Sequence, residues 1–96
     1  MITQVICGDT VWLKGTFKDR SAVLADPTTV WCKIYDENET LLEILSAAQT
    51  SVGMYEREYL VPMGSTDLIF EFTGSLGGYT ATGRDTLDRQ FRVSPV

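Results

Sequence analysis

Histidine is absent from the 96 residues. That removes the side chain best suited to moving protons near neutral pH, and the usual partner that activates a serine or cysteine nucleophile. Cysteine is nearly as scarce. Cys7 and Cys32 are the only two, too few for a disulfide-stapled scaffold, and two free thiols are the default expectation. A Cys7–Cys32 bridge is the first alternative, and an intermolecular bridge after release from the cell the second. Long apolar runs are missing too: nothing approaches the roughly 20 residues that a membrane-crossing helix needs. The opening Met1-Ile2-Thr3-Gln4 has neither the basic head nor the apolar stretch of a secretion signal. If Met1 is the natural start, the chain is made in the cytoplasm, and it stays there or leaves inside a larger assembly.

Positive charge is thin as well. Eight Lys and Arg against 13 Asp and Glu leave a net charge of -5, and the basic residues are scattered from Lys14 to Arg92. A scattered minority of cations does not suit a phosphate backbone or an anionic bilayer, so neither nucleic acid nor membrane is an expected partner. What the chain does have is ordinary globular material, 44% hydrophobic and 22% charged. This is enough for one core and one domain spanning 1–96.

The hydrophobic period is two almost throughout, as half-buried strands require. Over 10–18, Val11, Leu13 and Phe17 alternate with polar positions and Trp12. Over 29–35, Val30, Cys32 and Ile34 share one face, and Trp31, Lys33 and Tyr35 the other. The first set is assigned to the interior, because the second would bury an ammonium group. Asp36-Glu37-Asn38-Glu39 then turns the chain into a strand over 40–45. Gly53 opens another strand, with Tyr55, Tyr59 and Val61 on one side and Met54, Glu56, Glu58 and Leu60 on the other, and Pro62 ends it.

Leu68, Phe70 and Phe72 mark a strand over 67–73, a glycine-rich loop is expected over 74–83, and a last strand over about 86–93. Arg89 shares a side with Leu87, Phe91 and Val93, which calls for an edge position or a bulge. A short strand over 3–6 comes first, broken by Gly8-Asp9. About seven strands with turns at sandwich spacing predict an all-β, antiparallel β-sandwich.

Three candidate chemistries weaken on inspection. Glu56 and Glu58 stand side by side on one strand face, but on an antiparallel sheet that is normally the solvated face. The acidic turn 36–39 lacks the glycine and the distal glutamate of a calcium loop. Gly74-Ser75-Leu76-Gly77-Gly78 follows a strand, but no helix begins after it to hold a phosphate. No catalytic, metal or cofactor residue is therefore assigned, and no small-molecule substrate is expected. The outward aromatics remain. Trp31 and Tyr35, joined by Ile69 from the neighbouring strand, form a candidate protein interface. Leu76 and Tyr79 mark a candidate contact loop.

The ordered motifs carry one further signal. Gly8-Asp9-Thr10-Val11 leads to Gly15-Thr16-Phe17-Lys18-Asp19, then Asp26-Pro27-Thr28-Thr29-Val30 and Lys33-Ile34-Tyr35-Asp36. Gly53-Met54-Tyr55, Val61-Pro62, Phe70-Glu71-Phe72-Thr73-Gly74, Arg84-Asp85-Thr86 and Phe91-Arg92-Val93 complete the set. This order resembles bacterial immunoglobulin-like domains, in particular the small stand-alone kind found among tailed-phage and prophage structural proteins. The resemblance implies an immunoglobulin-like fold and a place in a virion: capsid decoration, head–tail joining, or tail or fibre attachment. Its partners would be other virion proteins or copies of the chain itself. It implies no catalytic residue. Two other readings stand beside it: a carbohydrate- or cell-surface-binding module using Trp12 or Trp31 as a stacking platform, and an adhesion or spacer domain of a bacterial surface protein.

Overall fold

A computed structural model describes residues 2–90. Within them the chain is all-β, with strands β1 (Ile2–Ile6), β2 (Thr10–Thr16), β3 (Thr28–Asp36), β4 (Leu41–Ser46), β5 (Ala48–Ser51), β6 (Met54–Leu60), β7 (Leu68–Leu76) and β8 (Tyr79–Gln90). Five strands make one sheet in the order β1-β8-β7-β3-β4, and three make a second in the order β2-β6-β5. The alternation read from the sequence explains how the two sheets meet. Leu13, Tyr55 and Tyr59 from the small sheet, and Cys32, Ile34, Leu68, Phe70, Phe72 and Leu87 from the large one, share a single core with Val5, Phe17 and Val61. Each such fully buried aliphatic or aromatic side chain contributes about 1.5–3 kcal/mol relative to leaving it exposed.

Three expectations need correction. The sandwich is not wholly antiparallel, because β1 runs parallel to β8, with Ile2 opposite Thr86 and Ile6 opposite Gln90. The strands described number eight, not about seven. The extra one, β5, lies in a polar stretch whose side chains are all exposed, so no apolar alternation marks it. The glycine-rich stretch 74–83 is not a loop either. β7 runs on to Leu76 and β8 starts at Tyr79, paired continuously from Leu76↔Tyr79 to Leu68↔Leu87. Only Gly77 and Gly78 turn, at φ 56° and 86°, the two consecutive positive values that a two-residue hairpin turn demands. Gly74 serves packing: a Cβ there would stand 2.8 Å from Pro27 Cβ.

Arg89 has the edge position that the sequence calls for: β7 pairs with β8 only as far as Leu87, so at Arg89 the strand is paired with β1 alone among the described residues, with no register shift. Arg89 ends the interior there, donating from Nε to the Thr66 carbonyl at 2.6 Å and from Nη1 to the carbonyls of Pro62 and Met63 at 3.2 Å. An arginine reads inward here because the loop before β7 supplies carbonyl acceptors. The expected end of the last strand, at Phe91 and Val93, lies outside the described residues.

Candidate functional site

The outer face of the five-stranded sheet is built in three rows. Register places Ser46, Trp31, Thr73 and Thr82 in one, Ile44, Lys33, Glu71 and Arg84 in the next, and Leu41, Tyr35, Ile69 and Thr86 in the third. The parity argument made Trp31, Tyr35 and Ile69 face out, and they do. Tyr35 and Ile69 are direct cross-strand partners. Trp31 lies four residues from Tyr35 on β3, about 13 Å along the strand, and the charged row of Lys33, Glu71 and Arg84 comes between. The three residues therefore form two apolar ends of one face, not a single patch.

Their exposures differ for a physical reason. Trp31 is 42% exposed, whereas Tyr35 is half-buried. The Arg84 guanidinium lies 4.9 Å over the Tyr35 ring, a cation–π contact. Arg84 Nε also donates to Glu71 Oε2 at 2.6 Å, its Nη1 donates to Glu39, and the Tyr35 hydroxyl donates to Glu71 Oε1 at 3.4 Å. Hydrogen bonds to Glu39 and then Glu71 raise the Arg84 pKa further. Glu71 is buried although its position faces outward, because these groups cover it.

Along the free side of this face, β4 exposes Leu41, Leu42 and Ile44. The sequence reading assigned none of them to a site. Alternation along β4 groups Leu42 with Ile44, and a bulge at the pairing between Ile34 and Tyr35 brings the adjacent Leu41 opposite Tyr35. Which side of β4 faces outward depends on register, which alternation alone leaves open.

At one end of the molecule, the β7–β8 turn brings Leu76 and Tyr79 together as cross-strand partners. Tyr79 is 65% exposed, and Arg20 lies 5.0 Å over its ring. An open cleft of about 650 Å³ separates this tip from residues 18–21. The contact pair is thus held on a hairpin and not on a mobile-length loop.

The outer face of the three-stranded sheet holds the second tryptophan. Trp12 is opposite Glu58, Lys14 opposite Glu56 and Thr10 opposite Leu60. Trp12 is 56% exposed and, with Glu56, Arg57 and Glu58, borders a shallow depression of about 490 Å³.

The acidic turn spends its oxygens locally. Asp36 Oδ1 accepts from the amides of Asn38 and Thr40 at 2.9 Å each, and Glu39 goes to Arg84. Both thiols are free and buried. Cys7, although it adjoins the Gly8 turn, is covered, its Sγ 3.4 Å from the Gly64 carbonyl. Burial pushes the Cys32 thiol up to about 11, against a smaller lowering by Arg57. Burial, followed by the nearby Glu43 carboxylate, pushes Tyr59 up to about 12. Neither group is poised as a nucleophile or base.

No protein-family model matches the chain, and neither curated proteins nor solved structures give a match.

Proposed function

We propose that the chain is an immunoglobulin-like domain that acts as a non-catalytic structural part, contacting other proteins through the outer face of its five-stranded sheet. One observation carries this reading. Trp31, Leu41, Leu42 and Ile44 are large apolar residues left exposed together on that sheet, an arrangement that marks interaction surfaces more often than free monomer surfaces. The strand order supports the fold assignment: β2-β6-β5 takes the places of strands B, E and D, and β8-β7-β3-β4 those of G, F, C and C′. The lack of histidine and the protonated, buried Cys32 support the non-catalytic part.

The setting we propose is a phage or prophage particle, in capsid decoration, head–tail joining or tail attachment, with other virion proteins or copies of the chain as partners. The ordered motifs that resemble such proteins are its support. Trp31→Glu tests it: the variant folds normally and is lost from purified particles that carry the wild-type chain. Equal incorporation of both would refute the role of this face.

A carbohydrate-binding reading has its own observation, the exposed Trp12 ring flanked by Glu58 and Arg57. It requires the isolated domain to bind glycans and Trp12→Ala to abolish that binding.

A further inference from the structure

The two edges of the large sheet are unequal and open. At one edge, β1 covers only residues 86–90 of β8, so residues 79–85 have no strand beside them among the described residues. At the other, β4 ends the sheet. An open strand edge presents unpaired amides and carbonyls to any compatible strand, and chains that avoid pairing blunt such edges with lysine, proline or bulges. The open half of β8 has neither lysine nor proline; it carries Thr80 and Thr82, and its two charges, Arg84 and Asp85, lie together at the end next to β1. The β4 edge has a bulge at one end and exposed Leu41, Leu42 and Ile44.

We infer that the chain assembles with further copies of itself head to tail, the β4 edge of one copy adding as a strand to the open half of β8 in the next. This rests on the reading of the chain as a protein-contact part, and it names the partner and the surface. Strand direction fits. β4 is antiparallel to β3, β3 to β7 and β7 to β8, so a copy displaced along the sheet presents β4 antiparallel to β8.

Space fits as well. The inward positions on the open half of β8 are Ala81, Gly83 and Asp85, opposite Gly74, Phe72 and Phe70. They leave a cleft of about 350 Å³ against Phe17, Phe70 and Phe72. A Cβ at Gly83 would meet nothing within 4 Å, so a strand laid beside β8 has room there. Charge agrees. Lys14, Lys18 and Arg84 line this cleft against Asp85 alone. Arg84 is engaged by Glu39 and Glu71 within its own chain and Lys14 stands opposite Glu56 on the outer face of the small sheet, so Lys18 is the remaining cation of the lining. The donor side has Glu37 and Glu43 and no Lys or Arg anywhere in residues 36–56. Because the two edges differ, the contact is heterologous and grows into a ring or a filament.

Sedimentation velocity from about 1 μM to about 1 mM tests this. The wild-type mass should rise beyond a dimer, and amides of residues 79–85 should gain hydrogen-exchange protection with concentration. Gly83→Leu, which fills the cleft, and Glu43→Lys, which reverses the donor charge, should each weaken association at least about tenfold while keeping the native circular dichroism. An equimolar mixture of the two retains one good edge of each kind, so it should form a heterodimer and nothing larger. Trp31→Glu should associate like wild type, which separates this contact from the outer-face role. A wild type that stays monomeric throughout, variants that assemble unchanged, or a mixture that fails to pair would each overturn the inference.

Discussion

Gly15 of β2 lies directly on the ring of Phe72 in β7, so close that a Cβ on Gly15 would stand 2.6 Å from Phe72 Cγ and 2.9 Å from its Cβ. This contact sets how near the two sheets approach at that point. The clash involves the root of the phenylalanine, which cannot swing away as a flexible tip would. Gly15→Ala should therefore destabilise the fold by about 1–3 kcal/mol through overpacking, read as a shifted urea midpoint. Gly83→Ala, facing open space, should leave the midpoint nearly unchanged.

Alkaline pH should weaken the fold in two steps. Cys32 and Tyr59 both have folded pKa values above their ordinary ones, about 11 against 9.0 and about 12 against 10.0. The folded state then binds more protons than the unfolded chain wherever pH exceeds the ordinary value, so stability falls as pH rises. The cysteine contribution is complete below about pH 9 and lost by about 11, and the tyrosine contribution is lost between about 10 and 12. Urea midpoints measured across this range should fall. Cys32→Ala should remove the earlier part of the fall, and Tyr59→Phe the later part.

Thr29 sits at φ 51° inside the irregular pairing between Thr28 and Trp31, a left-handed conformation that costs a β-branched residue about 1–2 kcal/mol. Asparagine tolerates that region better. Thr29→Asn should raise thermal stability by about 0.5–1 kcal/mol, checked by calorimetry.

Arg84 closes a buried carboxylate. Arg84→Gln leaves Glu71 covered without its cation, so it should lower the thermal midpoint by a few degrees. Adding Glu71→Gln should recover part of the loss, because the isolated buried charge is the costly state. The same Arg84 variant should loosen Tyr35, visible as increased tyrosine accessibility to iodination.

Much of the fold was legible because one side of each strand is buried. The inward sets Val30/Cys32/Ile34, Tyr55/Tyr59/Val61 and Leu68/Phe70/Phe72 were assigned by parity, and all but the half-buried Val30 are buried. β5 was illegible because its four side chains are exposed. The long β7–β8 hairpin was hidden because four glycines within 74–83 do different work: two turn the chain, one packs against Pro27 and one borders a cleft. Parity also placed Trp31, Tyr35 and Ile69 on the outer face. It did not reveal that Arg84 and Glu71 divide that face, since cross-strand partners depend on register, which alternation within a single strand leaves open.

The central claim is that the chain works through the outer face of its large sheet, and its two tryptophans report on opposite faces. Oxidative footprinting of the chain, free and in the proposed particle, read by mass spectrometry, compares them directly. The account predicts that Trp31 becomes protected together with Tyr35 and Ile44 while Trp12 is oxidised at an unchanged rate. Protection of Trp12 with Trp31 unaltered would contradict it.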